Sequence, residues 1–342
     1  MITKKLKKNI NIVVILLVIS STVCVNSQSK VGTTAVPFLG ISVAPRAAAM
    51  GSAYTALVND ATAMYYNPGG LSRFSQSQFL VAHTNWLVNT NVNWVGFVLN
   101  LGENALGVSV TQLDYGEDIV TTVSEPEGTG ERWSARDLAA TISFARNLTD
   151  RFSIGGNIKY IHQKIWNESG SAFAVDLGLL YITQFNDMRL GMSISNFGTN
   201  LRMSGKDLLH RVDLDEDATG HNETIVGNLK TESWPLPLFF RVGLALDVIN
   251  LGQDRLTVAI DAFRPSDNTE TINIGTELAL RDMLFLRAGY KSLFREESEA
   301  GLTLGMGAIM ILTEGVCWNI DYTYLNYGLF GGIHMAAVGI NF

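Results

Sequence analysis

The sequence predicts an all-β chain: an antiparallel transmembrane β-barrel of about 14 strands, with an N-terminal helical segment plugging its lumen. Three observations carry this. Apolar and polar residues alternate with a period of two through segments near the ~9 to 11 residues that a tilted spanning strand needs. Links between these segments are short at every second junction and include two very long ones at the others, as in barrels with tight periplasmic turns and long exterior loops. Charged residues within the segments keep to one parity, which leaves each strand an apolar face for lipid.

Composition agrees. The 342 residues include 32 Gly but 7 Pro, and 17% are charged; mean hydropathy is +0.17. Past the N-terminus no uncharged apolar run approaches the ~18 residues of a spanning helix, so the hydrophobicity is dispersed in alternation. A net charge of −7, a pI near 5.3 and the lack of a basic patch argue against a nucleic-acid partner. Cys24 and Cys317 are the two cysteines. Cys24 lies in a segment expected to be removed, which leaves no internal disulfide and no thiolate metal cluster.

Residues 1–27 read as an export signal. Lys4, Lys5, Lys7 and Lys8 precede an apolar core from Ile10 to Ile19, interrupted by Asn11, and Val25-Asn26-Ser27 before Gln28 forms a small-residue cleavage site. Lipidation at Cys24 is disfavoured by the bulk of Val23 before it.

Residues 28–76 are the expected plug. From Ala44 to Leu57 the chain is rich in small residues and lacks alternation, reading as a short helix with Pro45 in its first turn. Asn59-Asp60 breaks that pattern, and Asn67-Pro68-Gly69-Gly70 is a turn. A closed barrel of about 14 strands is too wide for its own side chains to fill, whereas about 8 strands can be filled. Val43 to Leu57 is expected to pack closely on an inner wall carrying Gly155, Gly178, Gly191, Gly243, Gly275, Gly305 and Gly339.

Residues 77–342 form the barrel. Strands are expected near 78–87, 92–101, 104–113, 136–146, 152–164, 172–182, 188–196, 237–248, 255–264, 270–281, 283–291, 301–312, 316–326 and 333–342. Lys159, Asp176, Arg241, Asp247, Asp261, Glu277, Arg287, Lys291 and Asp321 fall on the face opposite the apolar one and are expected to line the lumen. Facing lipid at mid-membrane, an Arg or Lys would cost ~2 to 4 kcal/mol. A soluble sandwich would also alternate; the export signal, the loop asymmetry and the final strand favour the barrel. In that strand Ala336, Val338, Ile340 and Phe342 share one face and Ala337, Gly339 and Asn341 the other, and it is expected to close the barrel against the first. Tyr160, Tyr181, Tyr290, Trp318, Tyr322 and Tyr324 suit interfacial girdles.

No catalytic motif emerges. His83, His162, His210, His221 and His334 are scattered; a lipid hydrolase with His83 or His162 as base is conceivable, but a strand-end His at headgroup level is the favoured reading. The acidic run Asp213 to Gly220 resembles the opening of a calcium loop, yet Ala218 stands where the turn wants Gly and Thr224 where Glu is needed, so a solvated exterior loop is expected. Asn147, Asn167 and Asn222 head glycosylation-like triplets, a pattern common by chance. The long connections Asp114 to Ala135 and Phe197 to Leu236 exceed ordinary hairpin loops. The second carries Trp234-Pro235-Leu236, an aromatic and rigid stretch read equally as a partner site and as a cap on the barrel mouth.

Arg46-Ala47-Ala48-Ala49-Met50-Gly51-Ser52-Ala53-Tyr54, Asn59-Asp60-Ala61 and Tyr66-Asn67-Pro68-Gly69-Gly70-Leu71 resemble the N-terminal signature of the PorV/PorQ family. Ala82 to Trp86 and Leu148 to Phe152, with Gly155, Lys159 and Tyr160, are similar to that family too. Gly69 departs from the Ala usual after the Asn-Pro pair. The resemblance implies a 14-stranded outer-membrane barrel related to the FadL fatty-acid channels, with Arg46, Met50, Tyr54, Asn59, Asp60, Asn67 and Pro68 in the plug. It implies a role in type IX secretion, with the translocon and cargo C-terminal signal domains as partners alongside outer-membrane lipid. Uptake of a hydrophobic ligand is the alternative. Neither enzyme activity nor a cofactor is expected.

Overall fold

Strands crossing lipid must pair along both edges, because no water is there to satisfy a free backbone group. In the computed structural model, which describes residues 30–212, 225–295, 298–299 and 301–342, fourteen strands among the described residues meet that demand by closing on themselves. They are β1 (Gln78–Asn85), β2 (Asn91–Leu101), β3 (Asn104–Ile119), β4 (Arg132–Thr149), β5 (Phe152–Ile165), β6 (Glu168–Ile182), β7 (Arg189–Gly198), β8 (Phe239–Leu251), β9 (Asp254–Pro265), β10 (Thr271–Leu280), β11 (Leu284–Leu293), β12 (Leu302–Thr313), β13 (Val316–Asn326) and β14 (Gly332–Asn341). Sequential neighbours pair antiparallel, and β14 returns to β1 with Gln78 opposite Asn341 and Asn85 opposite His334. Beyond the last pair Ser77 and Phe342 exchange two backbone hydrogen bonds of 2.9 Å, and the Phe342 ring stacks on Phe97. Closure by the final stretch is as expected.

Most strand limits fall within a few residues of the expected ones; β3 and β4 depart most. The connection expected from Asp114 to Ala135 shrinks to 120–131, since both strands continue past a bulge between Asp114 and Glu117 where Gly116 takes φ +79°. Arg136 to Asp114 (3.2 Å) and Arg132 to Glu117 (3.8 Å) bridge the extended hairpin. The second long connection carries two short strand pairings. Leu209–Val212 pairs with Ile225–Asn228, and Leu201–Arg202 with Ser233–Trp234. The acidic run from Asp213 falls outside the described residues, as do Asn222 and the export signal. On the same side as these loops β5 and β6 are joined by Trp166 and Asn167 alone, so the exterior connections are not uniformly long.

The expected helix from Ala44 to Leu57 is shorter, α1 spanning Pro45–Ala49. Gly51 at φ +63° and Ser52 at φ 67° turn the chain away directly after it, a conformation open to Gly at little cost. The plug starts at the long-loop mouth, where Ala35 N donates to Pro235 O at 2.9 Å. It continues through α1 and α2 (Ala63–Tyr66) and a 3-10 helix at Pro68–Arg73. At the short-turn end Arg73 donates to the Asp150 carbonyl at 2.6 Å. Its buried side chains, among them Met50, Tyr54, Met64 and Tyr66, pack on Ala82, Trp94, Ala105, Ala145, Ala245, Ala259 and Ala337 of the wall. The outward face carries Phe79, Val95, Val108, Ile142, Ile158, Leu244, Ile260 and Leu304, all exposed as a lipid-facing belt requires.

Candidate functional site

The wall receives the plug on glycines placed opposite one another. Gly155 pairs with Gly178 across β5 and β6, Gly191 with Gly243 across β7 and β8, and Gly275 with Gly289 across β10 and β11. Against the first pair lies Asn67-Pro68-Gly69, by the Pro68 carbonyl and Gly69 amide and by the Asn67 and Pro68 side chains, against the second Thr55-Ala56, and against the third Met50-Gly51. A methyl group at Gly275 would come within 2.8 Å of Met50 C and Cα, and one at Gly191 within 2.6 Å of Thr55 C. Gly305 abuts Ala49. Six of the seven expected glycines therefore face the plug, but Gly155 and Gly178 meet Asn67 to Gly69 and not the expected stretch from Val43 to Leu57. Gly339 does not face the plug, since its neighbours are the side chains of Asn319 and Leu80. Gly289 completes the third seat and was not among those expected. The plug contributes Gly69, where a Cβ would sit 2.7 Å from Leu179 Cα; this close approach accounts for Gly where the family pattern has Ala.

Small polar side chains of inward parity then satisfy the plug's backbone. Thr323 Oγ1 donates to Pro45 O (2.6 Å), Thr303 Oγ1 to Ala49 O (2.8 Å), Ser193 Oγ to Tyr66 O (2.9 Å), Ser153 Oγ to Gly69 O (2.7 Å) and Asn157 Nδ2 to Met64 O (2.7 Å). Asp261 Oδ2 accepts from Tyr54 N (3.0 Å) and Thr55 N (2.8 Å). Asn67 Nδ2 donates to Thr55 O and Leu179 O, while its Oδ1 accepts from Gly69 N at 3.1 Å. With Pro68 opening the 3-10 helix, the turn is held from both sides.

Charges join the same surfaces. Arg46 Nε and Nη2 donate to both oxygens of Glu277, at 2.8 and 2.9 Å. Glu277 also accepts from Arg287 Nε at 2.7 Å, and Arg287 reaches Asp321 at 2.5 Å. On the plug, Asn59 Oδ1 accepts from Arg46 and Asp60 accepts from the Tyr54 hydroxyl; Asp60 lies 3.6 Å from Arg46. Arg46 thus ties Asn59 and Asp60 of the plug to a wall carboxylate. A second buried pair, Lys159 with Asp176 at 2.7 Å, is bound to Asn196, whose Nδ2 donates to Pro237 O. Asp247 meets Arg189 at 2.5 Å nearer the short turns. Arg241 lies among the rings of Phe263, Phe239 and Tyr65, and Lys291 lines a small cavity beside it.

At the mouth Leu236 is buried in a cluster with Val36, Phe38, Leu39, Leu201 and Phe239, and Pro235 O accepts from Ala35. These two residues cap the barrel. Trp234 stays exposed (46%). Among the histidines, His83 lies between Asn93 and Asn85 (2.7 and 3.0 Å), and His162 Nδ1 is 2.9 Å from Ser171 Oγ on an outward position. Asn147, first of a glycosylation-like triplet, is tied to Ser72 of the plug. The tyrosines and Trp318 assigned to girdles are all exposed.

A closed barrel with an apolar outer belt, tight turns at one end, larger loops at the other and an ordered N-terminal plug is a plugged outer-membrane barrel. A profile of the family described as type IX secretion system protein PorV matches residues 24–207, more than half of the 342-residue chain. The chain belongs to that family and is a bacterial outer-membrane protein. A UPF0164 protein of Treponema pallidum (strain Nichols) is 24% identical over 173 residues, or 47% of this chain and 43% of that protein; the chain spans less than half the length of this curated relative. Among solved structures, the CymD monoaromatic hydrocarbon channel is 14% identical with a TM-score of 0.55, covering 88% of this chain and 96% of its own. The P. putida toluene transporter TodX is 14% identical with a TM-score of 0.53, covering 86% and 95%. At such identity these two share the fold.

Proposed function

We propose that the protein serves type IX secretion as a docking barrel, meeting the translocon and the C-terminal signal domains of cargo through its exterior loops. The observation carrying this reading is the plug's main-chain fit to the three glycine seats, which leaves the lumen occupied. With the interior filled, contact with a folded partner falls to the mouth, where Trp234 stands exposed beside a rigid Pro235-Leu236 cap. Aromatic anchors next to ordered backbone often carry binding energy. Uptake of a hydrophobic ligand, the reading that the hydrocarbon channels' fold would favour, fits less well. A lumenal chamber of about 260 Å³ is lined by Arg46, Asp60, Arg255, Arg287, Asp321 and several amides, whereas ligand pockets for apolar molecules are predominantly apolar.

Affinity capture from outer membranes, with and without Trp234→Ala, tests the proposal. The variant is expected to keep the heat-dependent shift of a folded barrel on denaturing gels while losing secretion partners. Undiminished recovery of the partners at equal yield would move the interface to the 120–131 loop. Capture of no secretion component by the native chain would refute the docking role.

A further inference from the structure

Strand register stacks the outward residues of β3–β6 into rows. From mid-membrane toward the exterior these are Val108, Ile142, Ile158 and Val175; then Val110, Ala140, Tyr160 and Phe173; then Gln112, Leu138, His162 and Ser171; and last Asp114, Arg136, Lys164 and Ser169. Successive rows lie roughly 7 Å apart along the strands. The face changes from apolar to polar in one step, and Tyr160, a girdle residue, marks where hydrocarbon gives way to headgroups.

Ala140 stands between the larger Val110 and Tyr160, and the wall is hollowed there. The result is a groove of about 530 Å³ on the lipid side, with Phe97, Val108, Ile142, Ile158 and Phe173 in its lining, a size within the ~300 to 1,000 Å³ of ligand pockets. Its upper edge is fixed. The Tyr160 and Phe173 ring centres are 5.3 Å apart, the Tyr160 hydroxyl lies 3.0 Å from Ser171 Oγ, and that oxygen is 2.9 Å from His162 Nδ1. Above this edge Arg136 and Lys164 stand opposite each other on β4 and β5, both exposed. Asp114 bridges Arg136 at 3.2 Å, so the top row holds two cations and one carboxylate.

A polar rim alone is expected of any barrel, and the opposite wall supplies the comparison. There β9–β13 form a second lipid-side groove, of about 520 Å³, bordered by Leu278, Leu286, Ala288, Leu304 and Met306. The next row toward the exterior is Ile274, Tyr290 and Leu302, which carries no charge. An acyl chain fits either hollow. The first also offers cations at headgroup height, and Arg and Lys are phosphate-binding groups.

We propose that the β3–β6 face binds a phosphate-bearing lipid of the outer leaflet, with one acyl chain in the groove over Ala140 and the phosphate held by Arg136 and Lys164. The site fixes a lipid at the foot of the 120–131 loop, which springs from β3 and β4.

The test uses the full mature barrel in detergent, with lipid retention read by native mass spectrometry. Phosphatidic acid is the probe, diacylglycerol lacks the phosphate, and phosphatidylcholine screens it with choline. Phosphatidic acid is expected to be retained most tightly, and Arg136→Gln combined with Lys164→Gln to lower its affinity roughly tenfold. Ala140→Leu, which fills the groove, should weaken all three lipids, while Ala288→Leu in the opposite groove should leave the preference for phosphatidic acid unchanged. Excess inorganic phosphate should not displace the lipid. Equal retention of the three lipids, or undiminished retention by the double variant, would overturn the proposal. So would equal effects of Ala140→Leu and Ala288→Leu, the mark of unselective annular lipid, or displacement by inorganic phosphate, the mark of an ion site without a lipid. If Ala140→Leu loses the heat-dependent gel shift, the comparison of lipids and the double variant decide alone.

Discussion

Gly275→Ala should loosen the plug while leaving the barrel intact. The added methyl would be directed at Met50, with the backbone C and Cα at 2.8 Å and the carbonyl oxygen nearer still. These are main-chain atoms, so no rotamer change relieves the contact. Moving Met50 also strains the neighbouring anchors, Thr303 Oγ1 to Ala49 O at 2.8 Å and Gly51 N to Thr303 Oγ1 at 3.1 Å. Overpacking of this kind costs about 1 to 3 kcal/mol, and one weakened hydrogen bond adds about 0.5 to 1.5 kcal/mol. Together, about 1.5 to 4.5 kcal/mol corresponds to a roughly 10- to 2,000-fold shift of the plug's docking equilibrium. Gly339→Ala is the matched control, an inward wall glycine whose Cβ would meet only the Asn319 and Leu80 side chains. In planar bilayers Gly275→Ala is expected to open far more often than the native chain and Gly339→Ala to stay near it, with the gel shift of the folded barrel kept by both. Equal open probability in the two variants would refute the idea that close main-chain seating holds the plug.

Two more perturbations address the faces of the wall. Val258→Arg places a charge on the outward face of β9, where about 2 to 4 kcal/mol is expected at mid-membrane, so it should impair assembly, measured as loss of heat-modifiable protein, more than Asp261→Asn does; equal yields would mean that the faces are misassigned. Glu277→Gln withdraws the carboxylate shared by Arg46 and Arg287, and breaking such a buried arrangement costs about 3 to 5 kcal/mol, so bilayer conductance should rise without loss of the barrel, and unchanged conductance would exclude this cluster from the seal.

The barrel is legible in the sequence because strand geometry imposes a strict period. One inward residue on each strand fixes the facing of the others, as Asp261 does for Thr257 and Ala259, and Glu277 for Gly275 and Asn273. Lumen filling follows from strand number. The details of the plug are harder to read. Ala47-Ala48-Ala49 favours continued helix, and only the wall, by taking the Ala49 carbonyl on Thr303 and leaving room for the Gly51 turn, shows why the helix stops. Parity marks Ser153, Asn157, Ser193, Thr303 and Thr323 as inward, but a hydroxyl hydrated in an open lumen and one bound to a plug carbonyl look the same in sequence. Gly289 is missed for want of register; once Gly275 is known to sit opposite it, the seat is evident. The Trp234-Pro235-Leu236 stretch divides between its two readings, because Leu236 finds the Val36-Phe38-Leu39 segment, some 200 residues earlier in the chain, as its packing partner.

The wall recognises mainly the plug's main chain. Three glycine pairs admit backbone where a side chain would collide, and the wall hydroxyls and amides bind carbonyls rather than side-chain groups. A segment held this way is registered at many points along its path, from Pro45 to Gly69, and displacing it exposes polar backbone that must find water. Buried carbonyls and amides left without partners are costly, about 1 to 3 kcal/mol each, so the plug behaves as the barrel's core. A barrel whose core is its own N-terminal segment has no room for a folded domain while that segment is seated. The docking role proposed for it then has to be played from the outside, by the exterior loops, unless a partner first supplies the free energy to draw the plug from its seats.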